Sequence, residues 1–540
     1  MNNWPMRAVC VAIVATAGWY GTWMFVHMNM QALWLALPFV AANVLIMVQV
    51  LITAANNWQR TSPALRIANL EFAPTVAVII PCCGEPPAMV ARTAESVLQQ
   101  NWPPGRLKLI ISDDAHAPDM HAMTDALQRE HRHALVLYHQ PPPRGSAERR
   151  GEAKAGNLNS ALDLVLQFWG DVEYIETRDA DDEVGDWSFL RHCIGQLQTD
   201  PRIAYVQTIK EARVSEGDPF ANLNGLFFRG TMRARNAANA VIPCGSGLVW
   251  RRAALVHIGG FPTWNLVEDL QSGLEALRRG WRGVYLPIVG AIGQHAPEDM
   301  PNVYKQSGTW ALDTMRLFIW GNKRGLSFRQ RLHFIELGLF YLQSFSVLMI
   351  LLTLAVSLFT HTYPLSTTQL DYTLHFWPFA LAIELFLVAL NGRQRYEALL
   401  RQREVWMGLT PIYIKACVLA LLYGPHRKPV YRVTRKVNQY GWYWRETLPQ
   451  LLLFALVAFA LIYGAATTSL LTDFDIGSAY WALFYGTFLF GFIRKSWFRG
   501  KPTRGTWHQK RHLPMPVIVS QDRAAAARIS VTSRVDPRRR

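Results

Sequence analysis

The sequence is poor in the residues that build a zinc centre or a disulfide framework. Its six cysteines, Cys10, Cys82, Cys83, Cys193, Cys244 and Cys417, show no CxxC spacing, which argues against both. Charge is scarce as well: Asp, Glu, Lys and Arg make up only 17% of the 540 residues, and the shortage is concentrated in a few stretches. Leu33–Ala55 has no charged residue and is long enough to cross a bilayer. Ala8–Val26 is a second such run, and Phe334–Phe359, Leu374–Leu390, Leu448–Thr467 and Ala479–Ile493 are four more. No small-residue cleavage site follows the first run, so a retained helical hairpin is expected rather than a signal peptide. No internal repeat is evident.

The net charge of +16 invites a nucleic-acid reading, and its distribution argues against one. Asn391–Glu446 carries a net +8 and Arg494–Arg540 a net +11, so the remainder is slightly acidic at −3. The surplus flanks the apolar runs. The connecting stretches His27–Gln31, Thr360–Thr373 and Thr468–Ser478 contain no Lys or Arg. This asymmetry predicts a multi-pass membrane protein with both termini and the long middle region in the cytoplasm, and a bacterial-type inner membrane is the expected location. The basic flanks suit anionic lipid. The Arg-, Ala-, Ser- and Pro-rich C-terminal stretch reads as disordered or surface-bound.

Asn56 to Leu332 reads as the soluble part. Val76–Ile80 is a β-branched apolar run of the kind found in strands buried on both faces. Strands are also expected at Leu107–Ser112, Leu135–His139, Tyr174–Thr177 and Ile203–Gln207. Helices are expected from Pro86 to Val97, Met120 to Arg132 and Ala153 to Phe168. Strand and helix in alternation predict an α/β layer with a mostly parallel sheet, whose ligands bind at the carboxyl ends of strands. Two acidic groups fall at such ends, Asp113-Asp114 and Asp179-x-Asp181. Side chains two apart on a strand point the same way. Asp179 and Asp181 can thus offer two hard oxygens to one divalent cation of the kind that grips a diphosphate. Glu268-Asp269 follows later at the start of a helix marked by Leu270, Leu274 and Leu277. A helix N-terminus favours a carboxylate, so Asp269 is expected to stay ionised and to be a weaker base.

In order, the chain carries Val76–Pro86 with Glu85, Ser112-Asp-Asp114, Lys154-Ala-Gly-Asn157, Asp179-Ala-Asp181, Gly245-Ser-Gly247, Val267-Glu-Asp269 and Gln306–Trp310. This set resembles the processive family 2 glycosyltransferases, and the catalytic subunit of bacterial cellulose synthase in particular. Lys428–Lys436 is similar to the FxVTxK gating loop of those enzymes, with Tyr431 in the Phe place. The resemblance implies an α/β GT-A-type glycosyltransferase domain inserted between transmembrane α-helices. It implies an inverting transfer from a UDP-sugar donor to a growing glycan acceptor, with the β-glycan threaded across the membrane. Mg2+ or Mn2+ is the implied cofactor, held by Asp179 and Asp181. Glu85 and Asp114 are implied to hold the uridine with Asp113 beside them, Lys154 to face the phosphates and Asp269 to act as general base. Trp310 is implied to stack on the acceptor sugar with Gln306 nearby.

Three departures stand out. Glu152 occupies a place that is often His. Thr309 replaces the Arg that is implied to contact the pyrophosphate, which removes a bidentate phosphate clamp; Lys305 and Arg316 are candidate replacements. Arg494–Arg540 is too short for the cyclic-di-GMP domain such synthases often carry, so none is expected. Val405–Tyr423, interrupted by Pro411 and Lys415, reads as one interfacial helix. Trp442, Tyr443 and Trp444 read as interface anchors rather than a sugar path. The expected organisation is a hairpin at 1–55, a cytoplasmic catalytic domain at 56–332 and a membrane pair at 333–391. An interfacial segment at 392–446, a second membrane pair at 447–494 and a basic tail at 495–540 complete it. Periplasmic or export subunits are expected partners, and nucleic acid is not. Transfer of one sugar to a lipid and a silent scaffold are the alternative functions.

Overall fold

The computed structural model describes residues 3–427, 438–467 and 473–497. The gating-like segment, part of the Thr468–Ser478 connection and nearly all of the tail lie outside the described residues. Eight strands form one mixed sheet: β1 (Thr75–Cys82), β2 (Leu107–Asp113), β3 (Leu135–His139), β4 (Val172–Thr177), β5 (Asp182–Val184), β6 (Ile203–Ala212), β7 (Leu248–Arg251) and β8 (Arg282–Gly293). Their order across the sheet is β3-β2-β1-β4-β7-β6-β8-β5.

The half of the sheet from β3 to β4 is parallel throughout. Beyond β4 the direction changes, because β7 runs antiparallel to both β4 and β6 and β5 runs antiparallel to β8, while β6 and β8 are parallel. The five expected strands are present. β5, β7 and β8 were not legible as strands in the sequence.

Both faces of the sheet are covered. Val76, Val78 and Ile80 pack into one layer with Val90, Ala94 and Phe189. Ala77 and Ile79 turn to the opposite layer with Leu158, Leu162 and Val165. All eight residues of β1 are buried, as the period-2 side-chain geometry of a doubly covered strand requires. The helix Pro87–Leu98 opens on a proline, whose missing N–H costs nothing there.

Among the described residues, six helices are long and apolar enough to cross a membrane: Trp4–Val26, Met30–Asn57, Phe328–Thr360, Gln369–Asn391, Leu448–Thr467 and Ile476–Trp497. They cover the six apolar runs. The stretch expected as one interfacial helix is two, Tyr396–Gly408 and Thr410–Tyr423, bent by 54°. Pro411 is the reason: standing in the first turn of the second helix, it supplies no backbone N–H to carry the ladder of the first helix through.

Candidate active site

The site is built where β1, β2 and β4 end. Asn157 ties this region together: its Nδ2 donates to the Ser112 carbonyl at 2.8 Å and to the Cys82 carbonyl at 3.4 Å. That fixes the start of the helix Ala153–Phe168 over the ends of β1 and β2 and carries Lys154 to the strand ends. Gly156 is required where the preceding loop closes against the first turn of that helix, since a Cβ there would lie 2.1 Å from the Gly151 carbonyl oxygen.

Lys154 Nζ donates to Asp179 Oδ1 at 2.5 Å and lies 3.4 Å from Glu268 Oε1. Burial works against its charge, but Asp179, Glu268 and Asp269 more than offset that and hold the ammonium well above its usual range. Asp179 meets a second ammonium at its other oxygen, Lys210 Nζ at 2.5 Å from Oδ2. Its backbone N–H donates to Ser246 Oγ at 3.2 Å, so the Gly245-Ser246-Gly247 turn backs the acid. Gly245 has φ +75°, and a Cβ on it would sit 3.0 Å from both Asp269 Oδ2 and Lys154 Nζ. Lys154, Asp179 and Asp269 therefore share one small volume. Asp181 is buried at 7% exposure, and its carbonyl accepts from the Gln294 N–H at 2.7 Å.

Asp269 lies in the first turn of the helix Glu268–Arg278. The expectation of a depressed, weakly basic carboxylate fails here. Burial first, and then the neighbouring Glu268 charge, push Asp269 up to about 7, against Lys154 and the Leu270 N–H. A helix terminus is worth only a fraction of what burial beside a like charge costs. The shift improves the group as a base at neutral pH.

The acids of the β1–β2 end are already engaged by protein. Asp113 Oδ1 accepts from the Ala115 N–H, and its Oδ2 accepts from the Ala117 N–H and Tyr138 Oη. Asp114 is gripped by Arg149 through both oxygens, at 2.5 and 3.0 Å, and by Arg144 at 2.8 Å. Glu85 is half-buried and accepts from the Cys83 N–H at 2.5 Å.

Gln306 and Trp310 lie on the helix Met300–Trp320, Gln306 half-buried and Trp310 42% exposed. One turn after Trp310, Asp313 joins this helix to the candidate base. Its Oδ2 accepts from the Val267 N–H at 2.6 Å, and its carbonyl accepts from Asn265 Nδ2 at 3.1 Å. Arg316 does not replace the missing arginine of the motif. It is buried at 1% exposure, donates to the Trp264 carbonyl and Asn265 Oδ1, and stacks 4.5 Å over the Trp264 ring. Lys210 and Asp313 were missed in the sequence. Lys210 follows the end of the strand expected there, and Asp313 sits unmarked among apolar neighbours.

Residues 174–391 match the family described as Glycosyl transferase family group 2. That segment is of glycosyltransferase family 2. The chain is 27% identical over 423 residues to the cellulose synthase catalytic subunit [UDP-forming] of Pseudomonas fluorescens, a match covering 75% of this chain and 53% of that one. It is 31% identical over 286 residues to the corresponding subunit of Komagataeibacter sucrofermentans, covering 50% and 34%. Against cellulose synthase 1 of Komagataeibacter xylinus it is 30% identical over 283 residues, covering 49% and 16%. The chain thus spans at most about half the length of these relatives. A solved mannosyltransferase from Pyrobaculum calidifontis, in complex with GDP-Man and Mn2+, superposes with a TM-score of 0.48 at 17% identity, covering 77% of this chain and 99% of that one. The family 2 segment runs from within β4 through β8 of a GT-A-like mixed sheet into the helices Phe328–Thr360 and Gln369–Asn391, and the long apolar helices before and after the sheet make this a membrane protein.

Proposed function

We propose that this chain is a membrane-embedded, inverting and processive glycosyltransferase that polymerises a cellulose-like β-glycan from a UDP-sugar and moves it across the inner membrane. One arrangement carries the reading: Lys154, Asp179 and Asp269 converge around Gly245 at the strand ends, in a chain with six helices apolar enough to span a membrane. The family 2 match and the UDP-forming relatives support it.

On this reading Glu85 and Asp114 hold the nucleoside, with Arg144 and Arg149 fixing Asp114 and with Asp113 bracing the turn behind it. Lys154 faces the diphosphate. Asp179 and Asp181 are hard oxygen donors for Mg2+ or Mn2+. Among the described residues no three His, Cys, Asp or Glu side chains group as a metal site. Two carboxylates suit an ion of this kind, which completes its shell with water and substrate phosphate. Bound there, the ion would neutralise charge on the departing diphosphate.

Trp310 and Gln306 position the acceptor, and Asp269 takes the proton from its hydroxyl. The new bond forms from that oxygen to the anomeric carbon as the bond to phosphate breaks, so configuration inverts and UDP leaves. Residues 56–332 form the catalytic domain on the cytoplasmic face, with the helix Thr410–Tyr423 at the interface and the membrane helices as conduit. Anionic lipid meets the basic flanks, and export subunits receive the product.

The test is synthesis by purified protein in lipid nanodiscs with Mg2+ or Mn2+, supplied in turn with UDP-glucose and UDP-N-acetylglucosamine. UDP release together with a long polymer is expected, and linkage analysis names the product. Products carrying a single sugar, extractable with lipid, would instead support transfer to a lipid acceptor. A wild type that releases no UDP, joined to an active Thr309→Arg, would support a silent chain.

A further inference from the structure

A second lysine stands in the site that none of the sequence motifs contains. Lys210, near the end of β6, lies 2.5 Å from Asp179 Oδ2 and 2.7 Å from Asp182 Oδ2. Its place depends on an irregularity in the sheet. Between Gln207–Tyr285 and Ile209–Val289, β8 spends two more residues than β6. The shifted register sets Lys210 opposite Ala291 and brings it level with β5, where Asp182 pairs with Gly293.

The two acids differ in what surrounds them. The Asp182 side chain is 2% exposed, whereas Asp179 and Lys210 are 22% and 30% exposed. Lys210 therefore reaches from a buried anchor toward open space. Burial opposes its charge, and Asp179, Asp182 and Asp181 more than offset that, so it stays protonated. Asp179 carries an ammonium on each oxygen, more than one carboxylate needs.

We propose, resting on the glycosyl-transfer reading, that Lys210 is a donor-binding residue whose ammonium contacts the diphosphate of the sugar nucleotide and offsets charge on the leaving group. With donor and a divalent ion bound, Asp179 would share its oxygens with that ion. Lys210 would keep Asp182 as its anchor and turn its remaining N–H donors to the phosphate oxygens of the sugar nucleotide. This supplies from β6 a positive charge that Thr309 cannot supply from the helix Met300–Trp320.

The experiment titrates full-length protein in nanodiscs, with Mg2+ present, with UDP and separately with uridine. Wild type is expected to bind UDP more tightly than uridine. Lys210→Met should weaken UDP by about ten- to a hundredfold, the cost of one charge-assisted hydrogen bond, and leave uridine unchanged. Lys210→Arg should retain most of the UDP affinity, and adding Thr309→Arg to Lys210→Met should restore part of it. Unchanged UDP affinity in Lys210→Met, beside a wild type that binds UDP, overturns the role of Lys210 alone. Equal weakening of UDP and uridine overturns it too, because the loss would then not be specific to phosphate. A wild type that binds neither overturns the glycosyl-transfer reading as well.

Discussion

Asp269 and Asp313 are both pushed up to about 7, and the Asp313 side chain holds the Val267 N–H two residues before Asp269. Asp269 owes its shift first to burial and then to Glu268. Asp313 owes its shift to burial, against the Val267 N–H and Arg316. For Asp269, in its proposed role as base, the consequence is kinetic. A base works when deprotonated, so kcat/KM should rise with pH through a limb near 7 and flatten above it. Glu268→Gln removes the like charge and should move that limb to lower pH; a pH–rate profile of both forms reads the shift. For Asp313 the consequence is stability. Its folded value lies above the ordinary 3.8 of an aspartate, so the native state binds the proton more tightly and stability falls as pH rises from about 4 to about 7. Asp313→Asn removes the ionisation and keeps an oxygen for the Val267 N–H. Its gain in melting temperature over wild type should be larger at pH 8 than at pH 5. Equal gains at both pH values would contradict the assignment. Neither shift was legible in the sequence, because each depends on what the fold buries beside the carboxyl.

At the scale of elements, β1, β2 and the helix Ala153–Phe168 could be read from the sequence because local pattern and tertiary burial agree there. β8 could not. Arg282–Gly293 holds Gly283, Pro287, Gly290 and Gly293, a composition that signals turns. The strand survives because Pro287 falls in the stretch where β8 outruns β6, outside the regular ladder. β5 has only three residues and β7 four, too short for a periodic signal. The acids at 113–114, 179–181 and 268–269 were visible as motifs, but the arginines that clamp Asp114 and the lysine from β6 were not, since sheet order rather than sequence spacing brings them in. The Gly245 turn yields a prediction at this scale. Gly245→Ala forces a Cβ to within 3.0 Å of Asp269 Oδ2 and Lys154 Nζ at φ +75°, a conformation that L-residues resist. Turnover should drop by at least tenfold, while circular dichroism and membrane insertion stay as in wild type.

At the scale of the whole molecule, the short helix Met232–Ala237, which packs on the sheet, is joined to the apolar helices by a buried polar cluster. Asn56 Nδ2, at the end of the helix that completes the first hairpin, donates to Glu336 Oε2 at 2.6 Å. Arg235 lies 3.7 Å from the same oxygen and donates to the His333 carbonyl at 3.1 Å. The sequence located Glu336 near the end of an apolar run without revealing Asn56 and Arg235, which come from 100 or more positions away in the chain. Removing one member of a buried ionic cluster leaves the others uncompensated, at a cost of roughly 3–5 kcal/mol. Glu336→Leu should therefore lower the melting temperature in detergent far more than Glu397→Leu, whose side chain is 72% exposed.

The account as a whole rests on one carboxylate serving as base beside a bound sugar nucleotide. The most direct measurement compares UDP release and UDP affinity in wild type and Asp269→Asn, both in nanodiscs with Mn2+ and UDP-glucose. The expected result is a wild type that releases UDP and builds polymer, and a variant slowed by about 10²–10⁴-fold with its affinity for UDP intact. A variant that turns over as fast as wild type, or a wild type that captures no sugar nucleotide, would contradict it.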